Sequence, residues 1–472
     1  MIFSSVTFTF IFLPVIIFIY YISKNKYKNI ILVIASVLFY AYGEHRAVLI
    51  MLFSIGFNYL SALAIDKVRK ETYRKIFLVG AIACNLGILY IFKYLDFSIT
   101  IFNGVSGRNV PLRNIALPIG ISFFTFQAMS YVIDVYRHSA AAETNVLNVA
   151  LYVSFFPQLV AGPIVRYNTI AQQIKDRYID AEHFGYGAKR FICGFCKKII
   201  LANNLAVVAE NALLNTDFHG QSIVLSWLGA ICFTLQIYYD FSGYSDMAIG
   251  LGRMFGFQFE ENFNYPYISG SVTEFWRRWH ISLGQWFRDY VYIPLGGSRV
   301  SALKHIRNLL IVWSLTGLWH GASYSFVVWG LMYFICLIIE KYVIRPEERR
   351  NLLFKGIWHI ITFFIIMLGW VLFDTESISL SIQCYASMIG YYGNAFIDVA
   401  ACAYLQEYAV YIFLGVLFAF PVAPMFGKLC YRRIWCGRIM DFVIPIGYMI
   451  VFLWAVSFLI LGAHNPFIYF NF

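Results

Sequence analysis

The chain has 472 residues, 60% of them hydrophobic, 19% aromatic and only 13% charged, with a formal net charge of +11. Soluble domains carry roughly 25% charged residues, so this composition, with a mean hydropathy of +0.67, excludes an ordinary water-soluble domain. Its repeated apolar stretches approach the roughly 20 residues that a membrane helix needs.

The first apolar run, about 7–23, has no basic residue before it and is followed by Lys24, Lys26 and Lys28. That charge order is the reverse of a secretory signal peptide and predicts a retained first span with the N-terminus outside. Further crossings are predicted near 29–43, 47–65, 75–93, 117–136, 223–240, 305–320, 324–343, 354–373, 404–422 and 442–462. Either 146–160 or 189–210 adds another. The expectation is an all-α, polytopic membrane helix bundle of about ten to twelve spans, read as one membrane-embedded domain over 1–472. Within it, 1–136 supplies N-terminal spans, 137–343 a core and 344–472 C-terminal spans.

Lys and Arg cluster at 24–28, 67–75, 277–307, 341–355 and 428–438, whereas 374–427 has neither. Positive loops stay cytoplasmic, so the spans thread with few conflicts. The excess positive charge therefore sets orientation and meets anionic lipid headgroups. Membrane lipid is an expected partner and nucleic acid is not.

Two stretches, 158–190 and 257–304, mix aromatics, charges, Gly and Pro and are not apolar enough to span. Asn262-Phe-Asn-Tyr-Pro-Tyr267 and Pro294-Leu-Gly-Gly297 are turn signals. Between them, Thr273 and Glu274 start a predicted helix that carries Trp276, Trp279, Trp286 and Phe287 beside Arg277, Arg278 and Arg288. Such a helix is expected in the membrane interface, with Trp at headgroup level and Arg reaching water.

The candidate chemistry lies at two imidazoles. His320 ends an apolar segment, 305–320, in the run Gly317-Leu-Trp319-His320-Gly321, and His280 lies 40 residues earlier in Phe275-Trp-Arg277-Arg278-Trp279-His280. An ionisable group at membrane depth is a functional-site hypothesis by default. A 16-residue helix is only about 24 Å long, which predicts a thin septum with one His near each face. Desolvation keeps an imidazole neutral and able to accept a proton. On spacing alone, each ring can equally serve only to bond a backbone carbonyl. Asp240 and Asp246, at the end of an apolar span, are expected to pair with Arg277 or Arg278. Ser122, Thr125 and Gln127 either line a polar path or bond neighbouring helices, and His359 reads as structural.

Other chemistries lack support. The sequence has no GxxxxGK[ST] loop, no HExxH and no GxSxG elbow. Nine cysteines are scattered through apolar segments, and Cys193-Gly-Phe-Cys196 is a lone pair, so neither a disulfide framework nor a metal site is predicted.

Several runs carry a family resemblance. Phe275-Trp-Arg-Arg-Trp279-His280-Ile-Ser-Leu283, Trp286-Phe-Arg288-Asp-Tyr290, Tyr292-Ile-Pro-Leu-Gly-Gly297 and Gly317-Leu-Trp-His320-Gly321 resemble the signature of membrane-bound O-acyltransferases. Leu117-Pro-Ile-Gly-Ile-Ser122, Phe156-Pro-Gln158 and the Asp240–Asp246 run also fit, and the likeness is greatest to the alginate O-acetylation branch. It extends from Phe3 to roughly Leu372; beyond that only hydropathy agrees. The resemblance implies interfacial and re-entrant helices around a central tunnel, with His320 as principal catalytic residue and His280 accompanying it. It implies no bound cofactor but an acyl thioester donor, acetyl-CoA or an acyl carrier, reached from the cytoplasm of a bacterial cell. The acyl group, acetyl by this branch, passes to an extracytoplasmic polysaccharide, with a surface SGNH-like acetyltransferase as partner. Trp279, Trp319, Arg277, Arg278, Asp240 and Gln127 are expected to bind substrate or line the tunnel. Transfer of D-alanine to teichoic acid and a glycan-precursor transporter are the competing readings.

Overall fold

The computed structural model describes residues 2–472 except 161, 215, 216, 350, 433, 463, 467 and 469–472; side chains 434–436 are also outside the description. The described residues form helices and no strand. The chain is an all-α polytopic membrane protein. Eight described helices are long and apolar enough to cross a bilayer. The predicted crossings at 7–23, 29–43, 117–136 and 305–320 also fold as helices, but each is too short or too polar to meet that measure alone. Of the two optional crossings, 189–210 lies within the long apolar helical stretch Ala181–Leu213. The other, 146–160, is broken at Phe155 into Val146–Ser154 and Phe156–Leu159; Pro157 has no N–H to continue the first helix and is tolerated in the first turn of the second.

The chain separates into two compact units. The first comprises Met1–Phe191 with Met247–Glu260. Its helices α1 (Leu13–Ile22), α2 (Asn25–Gly43), α3 (Ala47–Lys67) and α4 (Glu71–Leu89) accompany α5 (Ile121–Tyr136), which is buried almost all round. Phe3, Phe8, Phe39 and Phe156 pack ring on ring. Buried Asn58 and Asn85 exchange side-chain hydrogen bonds at 3.1 and 2.7 Å between α3 and α4, as expected where apolar faces alone give helices little reason to associate.

The second unit comprises Ile192–Asp246 with Glu261–Tyr469 and holds both candidate histidines. Its relevant elements are α6 (Ile223–Met254), which begins in it, α7 (Val272–Arg278), α8 (Ile281–Phe287), α9 (Ala302–His320), α10 (Tyr324–Ile339) and α11 (Leu352–Asp374). Two expectations change here. The single helix predicted from Thr273 is two short helices with a break at Trp279–His280. Its aromatics are also not laid on an open surface: Trp279, Trp286 and Phe287 are buried in protein. The helix ending at His320 has 19 residues, about 28 Å at helical rise, because Ala302–Lys304 extend it beyond the apolar run. The expected thinning of the septum is therefore not a property of this helix.

α9 and α10 meet where both lack side chains. A Cβ on Gly317 would strike the backbone carbonyl of Phe326, and one on Gly330 would strike that of Trp313. Gly321 lies equally close to the Phe326 ring. These glycines allow backbone approach beside His320.

Candidate active site

The break that presents His280 is built from polar contacts. Ser271 caps α7 by accepting from Glu274 N at 3.0 Å, and Glu274 accepts from Gly270 N at 2.8 Å, a near relative of the capping box. Buried Glu340, at the end of α10, accepts from Val272 N at 2.7 Å and from Thr273 N and Oγ1 at 2.8 and 2.7 Å. It also accepts from Trp358 Nε1 at 3.2 Å. One carboxylate thus ties α7 to α10 and α11. His280 itself adopts left-handed backbone, φ 45° and ψ 53°, a conformation His tolerates better than most residues. That turn ends α7 and directs the imidazole inward.

Asn262 holds the ring. Its Oδ1 lies 3.1 Å from His280 Nδ1 and accepts from Ser282 N at 3.1 Å and Ser282 Oγ at 2.8 Å, while its backbone carbonyl accepts from Ile281 N at 3.0 Å. Phe241 stands edge-on to the imidazole at 4.6 Å and Trp319 lies 6.0 Å away. Burial pushes the His280 pKa well below the ordinary imidazole value, and the charge of a protonated His320 acts in the same direction.

His320 is the last residue of α9, set among ring faces. Trp319, Trp329 and Phe373 have centroids 5.0, 5.1 and 5.2 Å from its own. His280 and His320 line a single cavity of about 190 Å³. Its wall follows one face of α9 through Thr316, Trp313 and Leu309 and reaches Arg288 and Tyr292 at the other end. Leu309 and His320 stand eleven positions apart on that helix, about 16 Å at helical rise.

The other predicted site residues divide. Trp279 lines the cavity with the two histidines; Trp319 is buried behind it, against both rings. Arg277 and Arg278 are not in its wall: they pair with Glu347 at 3.0 Å and Glu274 at 2.8 Å. Asp240 and Asp246 do form ion pairs, but with Lys198 and Lys197, each at 2.6 Å, and not with the arginines. The reason is position: consecutive lysines inside the apolar stretch need buried counter-charges, whereas the arginines reach acidic residues near the surface. Gln127 belongs to the first unit, fully buried, with neither side-chain atom hydrogen-bonded among the described residues. His359 is structural, donating Nδ1–H to Ser269 O at 2.8 Å. The sequence marks Asn262 and Arg288 only as part of a turn and of the predicted interfacial helix, and Glu340 not at all; it assigns none of the three to the site. The Asn262 turn motif was visible, but its reach to His280 was not.

A helical membrane protein that brings two imidazoles and a tryptophan-walled cavity together has the equipment of a group-transfer enzyme. Residues 121–383 match the MBOAT, membrane-bound O-acyltransferase family. The chain belongs to that family and is an O-acyltransferase of its alginate O-acetylation branch, a multi-pass bacterial membrane protein. It is 42% identical to a probable alginate O-acetylase, AlgI, of Pseudomonas aeruginosa over 398 residues, covering 83% of this chain and 75% of that one. It is 31% identical to a peptidoglycan O-acetyltransferase of Helicobacter pylori, covering 100% and 98%. Identity to a teichoic acid D-alanyltransferase of Bacillus subtilis is 25%, covering 74% and 90%.

Proposed function

We propose that this enzyme moves an acetyl group from a cytoplasmic thioester, acetyl-CoA or an acyl carrier, to hydroxyls of an extracytoplasmic polysaccharide, and that His280 and His320 act in that transfer. The observation that carries the reading is the shared cavity of the two rings. The thioester enters from the end where Arg288 is half exposed; this cation, in place of Arg277 and Arg278, meets the anionic part of the donor. The acceptor hydroxyl attacks the acyl carbon, a C–O bond forms, the C–S bond breaks, and the hydroxyl proton ends on the departing sulfur. His320 takes that proton from the hydroxyl. Trp279 and Trp319, both nearly inaccessible, keep water from the thioester.

The acceptor is either the polymer itself or a hydroxyl of an SGNH-like surface partner that passes the acetyl on. The charge asymmetry supports an N-terminus outside the cytoplasmic membrane, and the family likeness supports a single membrane-embedded domain with a tunnel joining its two faces. Mass spectrometry of the surface polymer tests the function: ester-linked acetyl is expected with the native chain and absent with His320→Ala. Native acetylation by that variant would refute it. The Bacillus subtilis relative supports one second reading, D-alanyl transfer, which the same spectra would reveal as alanyl esters.

A further inference from the structure

Asn262 does more than close a loop. Its side chain is fully buried, and its Oδ1 receives the backbone N–H of Ser282. A backbone N–H can only donate, so the atom it meets must be the amide oxygen, and the orientation of the Asn262 amide is fixed from outside the ring. The same oxygen faces His280 Nδ1 at 3.1 Å. An amide oxygen only accepts, so Nδ1 carries the proton. In a neutral imidazole one nitrogen donates and the other accepts, which leaves Nε2 with the lone pair.

We propose that Asn262 is a positioning residue that commits His280 to the Nδ1–H tautomer, so that this ring enters acyl transfer as a proton acceptor at Nε2 and not as a hydrogen-bond donor to the thioester carbonyl. This rests on the acyl-transfer reading given above. A ring that polarised that carbonyl would need a proton on Nε2; a neutral ring held at Nδ1 has none to offer it. His280 instead relays the proton. The hydroxyl O–H bond breaks as its oxygen closes on the acyl carbon, and the proton reaches Nε2 of His280 from His320. It then passes to the thiolate as the C–S bond opens, and both rings end neutral.

The choice of an amide at position 262 follows from the same need. A carboxylate there would keep the three acceptor contacts, and among the described residues Asn262 Nδ2 makes no hydrogen bond that would be lost. It would also bring a negative charge to the imidazole and favour its protonated, non-accepting form. Asparagine orients the ring without charging it.

The first test uses the native protein. Histidine-¹⁵N-labelled enzyme is reconstituted, and the His280 resonances are identified by their loss in His280→Gln. A protonated Nδ1 and bare Nε2 are expected; a proton on Nε2 would overturn the proposal. This readout is independent of turnover, so it stands apart from the acyl-transfer reading, whose own failure would appear as no acetyl transfer by the native enzyme. The second test measures free-thiol release from acetyl-CoA with de-acetylated alginate as acceptor, in proteoliposomes. Asn262→Asp is expected to move the acid limb of kcat/KM to higher pH by about one unit or more. Asn262→Ala is expected to lower kcat by the order of 10²-fold with little change in KM. A residue that merely braces the loop would leave the Asn262→Asp profile superimposed on the native one, and that result would overturn the proposal.

Discussion

The two histidines share a cavity but are held by different physics. The segment bearing His280 is a lattice of directional hydrogen bonds: Asn262 on the ring, Ser271 and Glu274 at the helix start, Glu340 across its first turn. The segment bearing His320 is set by shape, with glycines in backbone contact between α9 and α10 and aromatic faces around the imidazole. Hydrogen bonds specify which nitrogen bears a proton; packing specifies where a ring sits. The first arrangement suits a group whose protonation state must be preset, the second a group whose placement matters most.

The largest expected effects come from removing either ring. His320→Ala and His280→Ala should each reduce turnover roughly 10²–10⁴-fold, the usual contribution of a positioned base, in protein that still elutes as native in detergent. A deficit confined to one of them would show that only one segment serves the chemistry. Next, Gly317→Val should damage the shape-determined side: the new side chain has no room against the Phe326 carbonyl. A loss of about 1–3 kcal/mol in stability is expected, read as a lowered thermal midpoint, with activity falling in parallel.

Glu340→Gln probes the directional side. It keeps one carbonyl oxygen for the α7 amides but loses charge-assisted bonds, at about 1–2 kcal/mol in total. Hydrogen exchange should rise at Val272 and Thr273 and not along α9; equal exchange in both segments would blur the distinction between them. The smallest effect is on pH. Because the His280 pKa is lowered in the folded protein, the folded state binds fewer protons than the unfolded chain between the two values. The stability contributed by this ring is therefore complete above about pH 6.5 and is lost as pH falls below it. The thermal midpoint should drop from pH 7.5 to 5.5, and His280→Gln should reduce that drop.

Much of this was legible in the chain. Apolar run lengths and basic clusters gave the all-α membrane architecture, and the two histidines stood out because ionisable groups are scarce in such surroundings. The break at His280 was hidden, since no glycine or proline marks it and its left-handed backbone depends on contacts from Asn262, 18 residues upstream. Lys197 and Lys198 lay inside a predicted crossing, and a search for their counter-charges would have led to Asp246 and Asp240 before the arginines. Glu340 looked like an ordinary charge at the end of an apolar run, because sequence shows an acidic residue but not the helix start it satisfies. Long-range polar pairing is what periodicity cannot convey.

One element reaches both sides of the cavity. α10 abuts the His320 helix at Gly330 and, about 15 Å further along, its terminal Glu340 grips the helix that leads to His280. It acts as a caliper: the gap between the two imidazoles is referred to a single rod. Tension or tilt applied to that rod, by a thicker bilayer for instance, would change the interval a proton has to travel while leaving each ring's own cradle intact.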